Sequence, residues 1–96
     1  MNYRLSNRAE QDFRNIYRLT ASNFGKLQAE AYLSGLEETL VQVSDTPTLA
    51  QKVGDIRKGY RRYLYQEHAV YFIEKESFIY VVRVLHQQMK ASLHLG

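Results

Sequence analysis

The run Phe78-Ile79-Tyr80-Val81-Val82-Arg83-Val84-Leu85-His86 constrains this chain more than any other stretch. It is the densest concentration of β-branched and aromatic residues in the sequence and has little helical character, so it predicts a central, largely buried strand. Arg83 is set inside that strand and His86 closes it. A cation within a buried strand must be paired or must reach a rim, because an unpaired buried charge is costly; Arg83 is therefore expected to be paired or partly buried. Residues three apart on a regular strand point to opposite faces. Arg83 and His86 thus share a site only if the strand bends or ends between them. A histidine serves as a general acid or base near neutral pH, but a lone one at a strand end also reads as structural. His68 and His94 show no motif that ties them to His86, and no metal-ligand spacing is present.

At 96 residues the chain is expected to form a single domain over 1–96, with room for one modest core. It has no cysteine, which removes disulfides and cysteine-ligated zinc and fits a reducing cytoplasm. The opening Met1-Asn2-Tyr3-Arg4-Leu5-Ser6-Asn7-Arg8 lacks the apolar core of an export signal, and no run approaches the roughly 20 apolar residues of a membrane span. A cytoplasmic location with no membrane partner is the expectation.

Along the chain, Met1 to Leu5 alternates like a short strand, and Ser6 or Asn7 offers a helix cap. Ala9, Phe13, Ile16, Tyr17, Thr20 and Phe24 then recur at helical spacing, while Arg8, Asp12, Arg14, Asn15 and Arg18 form the opposite, solvated side. Gly25 marks a corner between helices. A second helical stripe, Ala29, Tyr32, Leu33, Leu36, Leu40 and Val43, tolerates Gly35 and ends at Asp45-Thr46-Pro47. Leu49 to Val53 reads only as a connection. Ile56 to Tyr65, His68 to Glu74 and Phe78 to Leu85 are expected strands joined by turns short enough to demand antiparallel hairpins. The fold class is α+β: an N-terminal strand, a helical hairpin, then a three-stranded antiparallel meander whose sheet packs on the helices.

Net charge is +3, with the excess concentrated in Lys52, Arg57, Lys58, Arg61 and Arg62 against Asp55. On a strand, Tyr60, Arg62 and Leu64 face one way and Arg61, Tyr63 and Tyr65 the other. Arginines interleaved with tyrosines suit phosphates and bases; equally, the tyrosines can cover core while the arginines pair with acids. A Gly-rich phosphate loop, a nucleophile elbow and a paired-carboxylate motif are all missing, which points away from a metabolic enzyme.

Taken in order, Ala9, Asp12, Ile16, Phe24-Gly25, Ala29 and Tyr32, then Pro47, Ile56-Arg57-Lys58-Gly59-Tyr60-Arg61, then His68, Val70 and Tyr71, and finally Val82-Arg83-Val84-Leu85-His86-Gln87-Gln88-Met89 resemble the ParE toxins of the RelE/ParE superfamily. The likeness runs from about Leu5 to Leu93. It implies the toxin of a plasmid- or chromosome-borne type II toxin–antitoxin system, held inactive by a ParD-like antitoxin and poisoning DNA gyrase by direct binding. The alternative it implies is a ribosome-dependent mRNA endonuclease of the RelE type, in which Arg62, Arg83 and His86 would be catalytic. Gln87 after His86, together with Met89, departs from the nuclease ending, so a non-catalytic inhibitor without cofactor or metal is preferred. For an inhibitor of that kind, target contacts are expected on the basic strand at Arg57, Lys58, Arg61 and Arg62 and at the strand exit around His86, Met89 and Lys90. Antitoxin contacts are expected around Tyr17, Phe24 and Tyr32, and no sequence-specific DNA binding is expected from this chain alone.

Overall fold

The structure is a computed structural model that describes residues 2–95. Strand β1 (Asn2–Leu5) leads into helices α1 (Asn7–Phe24) and α2 (Lys26–Asp45). A 3-10 turn (Pro47–Leu49) precedes β2 (Gln51–Lys52), β3 (Tyr60–Tyr65), β4 (His68–Glu74) and β5 (Phe78–His86), and a last 3-10 turn spans Ala91–Leu93. The strands form one five-stranded sheet in the order β1-β5-β4-β3-β2, with β1 parallel to β5 and the other pairings antiparallel. The long apolar run is thus an interior strand.

Ser6 caps α1, its side-chain oxygen accepting from the Ala9 amide at 2.9 Å and leaving the hydroxyl to donate to the Val82 carbonyl at 2.7 Å. Gly25 makes the helical corner at φ +95, a left-handed geometry that a Cβ disfavours. The stripes of both helices close over one face of the sheet: Ala9, Ile16, Leu36, Leu40 and Val43 pack with Val70, Phe72, Ile79, Val81 and Val84. A smaller cluster covers the other face, where Val53, Ile56, Ala91 and Leu95 lie against Tyr60, Ala69, Tyr71 and Leu85. The second face is covered by loop and tail rather than by another layer of helix.

Two expectations change. The meander is part of a wider sheet, because β1 joins β5 and the segment expected as mere connection forms β2. Ile56 to Gly59 is not strand: the chain turns there, and β3 begins at Tyr60. Met1, counted in the first strand, lies outside the described residues. The apolar side of Ile56 is buried by the turn folding back on the sheet, which strand-like composition alone does not distinguish from pairing.

Gly35 does more than interrupt α2 mildly. A Cβ there would overlap the Tyr65 hydroxyl and lie 3.1 Å from Tyr65 Cζ. The helix passes over β3 at a place where only glycine leaves room for the ring. Gly35→Ala is expected to cost a net of about 1 to 2 kcal/mol, overpacking outweighing the better helix propensity of alanine; urea unfolding of the variant reads the loss directly.

Candidate functional site

β5 carries an irregularity that decides where its side chains go. Glu74 to Phe72 pair with Ile79 to Val81, but Tyr71 pairs with Arg83, so Val82 is an extra residue in the ladder. A one-residue bulge reverses which face every later side chain meets. Before it Ile79 and Val81 face the helices, and after it Val84 and His86 do. Without the bulge, His68 would lie opposite Leu85; with it, His68 lies opposite His86.

Beyond Leu5, α1 takes the place of β1 along the open edge of β5. The Ser6 amide donates to the Val81 carbonyl at 2.9 Å, and the Val84 amide donates to Asp12 Oδ2, also at 2.9 Å. Arg83 closes this edge. Its Nε and Nη2 donate to Asp12 Oδ2 and Oδ1 at 2.9 and 3.0 Å, and Nη1 donates to the His94 carbonyl at 3.2 Å. The two side chains are only 10% and 12% exposed, so this is a buried, bidentate pair. Arg83 is paired as its place in the strand requires, whereas Asp12, read from the sequence as part of a solvated face, is its buried partner. Arg8, Arg14 and Arg18 of that face are exposed.

Between α1, the start of α2 and the ends of β4 and β5 lies a groove of about 620 Å³. Leu19 and Phe24 wall it on the helix side and Met89 on the sheet side, at 61%, 74% and 39% exposure. Tyr32, His68, His86 and Glu67 line its polar end. The Tyr32 hydroxyl lies 2.8 Å from His68 Nδ1 and accepts from the Glu67 amide at 3.2 Å. The His68 and His86 rings meet edge to face with centroids 5.4 Å apart. His86 Nδ1 accepts from the Gln88 amide at 3.1 Å, so the neutral ring carries its proton on Nε2, 3.6 Å from Glu67 Oε2. Sequence spacing could not pair these histidines, because the bulge that aligns them has no sequence signature in Val82.

Burial, reinforced by the neighbouring His86, lowers the pKa of His68 from its ordinary 6.5, against smaller opposing effects of Glu67 and Asp12. The depressed folded value means that the unfolded chain takes up the proton first as pH falls through about 6.5. Stability attributable to this ring is therefore complete above that pH and declines below it, until the folded ring is also protonated. His68→Gln, whose side-chain oxygen can accept from Tyr32, should flatten the fall in urea midpoint between pH 8 and pH 5.

The expected target residues divide between two places. His86 and Met89 line the groove, with exposed Lys90 just beyond. Arg57 and Lys58 are exposed on the turn before β3, at the opposite end of that strand, a separation of about 17 Å for strand geometry. Arg61 faces the helix side, donating to the Ala50 carbonyl at 2.9 Å and lying 3.6 Å from Glu74. Arg62 lies opposite Tyr71 on the other face and donates to Gln51 Oε1 at 3.2 Å. Arg83 and His86 both line the groove but Arg62 does not, so the three are not brought together. Of the expected antitoxin residues, Phe24 and Tyr32 line the groove, while half-buried Tyr17 does not. Among the described residues no cluster of histidine and carboxylate side chains is placed to hold a metal, and no helix is long and apolar enough to cross a membrane.

Residues 3–91 match the family described as the ParE toxin of the type II toxin–antitoxin system parDE. The chain is 35% identical to toxin ParE1 of Caulobacter vibrioides over 94 residues, which covers 98% of this chain and 97% of that protein. It is 33% identical to toxin ParE1 of Mycobacterium tuberculosis over 94 residues, covering 97% of this chain and 96% of the relative. In fold it is similar to a chain of the chromosomal ParDE system from P. aeruginosa, with a TM-score of 0.78 at 16% identity, over 90% of this chain and 95% of that one. The family match and the two near-full-length relatives, joined to the hairpin-on-sheet architecture, make the chain a member of the ParE toxin family of type II toxin–antitoxin systems.

Proposed function

We propose that this chain acts in the cytoplasm by binding DNA gyrase and blocking it, with no catalysis of its own, and that a ParD-like antitoxin neutralises it. The observation that carries the non-catalytic reading is the fate of Arg83. Its guanidinium is committed to Asp12 and the His94 carbonyl, and Arg62, two strands away on the same face of the sheet, stands outside the groove that Arg83 and His86 line. Charge stabilisation at a scissile phosphate needs preorganised donors converging on one point, and Arg62, Arg83 and His86 offer no such point. Binding is the chemistry that the remaining features suit. The exit of β5 around His86, Met89 and Lys90, with the basic turn at Arg57 and Lys58, supplies the target contacts in this reading. The antitoxin lays an amphipathic helix into the groove, covering Phe24 and Tyr32, with Tyr17 at its margin; exposed Leu19 and Phe24 are the kind of apolar surface that such a partner buries.

Supercoiling by purified gyrase in the presence of excess free chain is the direct test. Inhibition relieved by the antitoxin is expected, with His86→Ala weakening it. Unimpaired supercoiling together with new cuts in translated messages, lost in His86→Ala, would transfer the chain to the endonuclease reading.

A further inference from the structure

Lys52 lies opposite Arg61 and Gln51 opposite Arg62 where β2 meets β3. The turn between these strands adds Asp55, Arg57 and Lys58. With Glu74, which faces Arg61, this corner holds five cations and two carboxylates, an excess of three that equals the whole net charge of +3. Elsewhere cations and carboxylates balance. Arg61 and Arg62 are committed to the Ala50 carbonyl and Gln51, but among the described residues Lys52, Arg57 and Lys58 form no ion pair, and all three are exposed.

The turn that presents them is preformed. Val53 and Ile56 are anchored in the second apolar cluster. The amides of Ile56 and Arg57 donate to the Val53 carbonyl at 2.9 and 3.1 Å, and the amides of Val53 and Tyr60 close the base through the carbonyls of Tyr60 and Arg57 at 3.0 and 3.1 Å. Beside the turn is a recess of about 310 Å³ lined by Lys52, Gly54, Gly59, Tyr60, Arg61 and Glu74. No atom lies within 4 Å of where a Cβ would stand on Gly54 or Gly59, so bare backbone is open to close approach.

We propose that this corner binds the phosphate backbone of a nucleic-acid duplex without reading its sequence. Phosphate contacts need only placed cations, and their affinity comes from counterion release. A protein partner needs apolar or aromatic anchors, and interface cores are depleted in lysine. The exposed Leu49 and Leu64 flank the corner without entering the turn or the recess, and Tyr60 and Tyr63 are half-buried rather than free to stack on bases. The corner lies at the end of β3 away from the groove, so a duplex and an antitoxin helix have separate footprints. This binding goes beyond the gyrase reading, in which Arg57 and Lys58 are polar rim contacts to an enzyme anchored around His86 and Met89, and is a property of the chain alone.

The test is anisotropy of a labelled 20-base-pair duplex titrated with the purified chain at 50 and 200 mM KCl. Three phosphate contacts at about −0.9 each give a slope of about −2.7 in log K against log salt, a roughly 40-fold loss of affinity over that range. Duplexes of unrelated sequence should bind alike. The double variant Arg57→Gln, Lys58→Gln, at exposed turn positions, should reduce the slope to about −0.9. Arg14→Gln with Arg18→Gln, on the exposed face of α1, should leave it unchanged. No saturable binding at 50 mM overturns the proposal, as does an equal loss of slope in the α1 variant, which would mean diffuse attraction by net charge. Tighter binding of a polyglutamate peptide than of the duplex overturns it in favour of an acidic protein partner. Gyrase inhibition is scored separately, so either idea can fail while the other stands.

Discussion

Asp12→Ala is expected to destabilise the fold by about 3 to 5 kcal/mol, the range for removing one partner of a buried ion pair. The cost has two parts. Arg83 is left with an uncompensated charge at 10% exposure, retaining only the His94 carbonyl, and the Val84 amide loses its acceptor on the stretch of the β5 edge that lies beyond the end of β1. For a chain of this size each kcal/mol corresponds to about 4 to 8 °C, so the thermal midpoint should fall by well over 10 °C. The double replacement Asp12→Leu, Arg83→Met should be much less harmful than either single change, since a buried pair exchanged for apolar side chains of similar volume is often nearly neutral. A urea midpoint for Asp12→Ala close to that of the parent would show that the pair does not hold α1 to the sheet.

That pair marks where the sequence stops being legible. The hairpin stripes, the helical corner at Gly25, the alternation of β3 and the need to pair Arg83 all follow from local periodicity and from the cost of a buried charge. The identity of Arg83's partner does not, because Asp12 sits 71 positions away within a helix face otherwise rich in exposed cations. The two-residue β2 is too short to produce alternation, and Ile56 to Gly59 continues the pattern of β3 in sequence but is a turn from which only Ile56 folds back on the sheet. The His68–His86 contact depends on the extra residue at Val82, and nothing in a run of β-branched residues says which one bulges. For the candidate site, Phe24 and Tyr32 were recoverable from the helical stripes. Leu19, one turn before Asn23 and outside the regular stripe, becomes a groove residue only once β5 delivers Met89 to the facing wall.

Phe24→Ala should weaken the complex with the antitoxin by about 30-fold or more, the equivalent of losing one anchor worth about 2 kcal/mol. Its ring is 74% exposed in the isolated chain, so truncation removes little that holds the fold together and its effect should appear almost wholly in binding. Leu27 supplies the control. It is 83% exposed on the far side of the Gly25 corner, equally apolar and close in sequence, yet it does not line the groove. If the antitoxin occupies the groove, titration calorimetry should find Leu27→Ala close to the parent and Phe24→Ala strongly impaired, with Met89→Ala between them because its side chain is already less than half exposed on the opposite wall. Equal losses for Phe24 and Leu27 would put the partner across the outer tip of the hairpin, and no loss at Phe24 would remove the groove from the interface. The discrimination comes from geometry rather than hydrophobicity, since the two side chains differ mainly in which side of a single glycine they stand on.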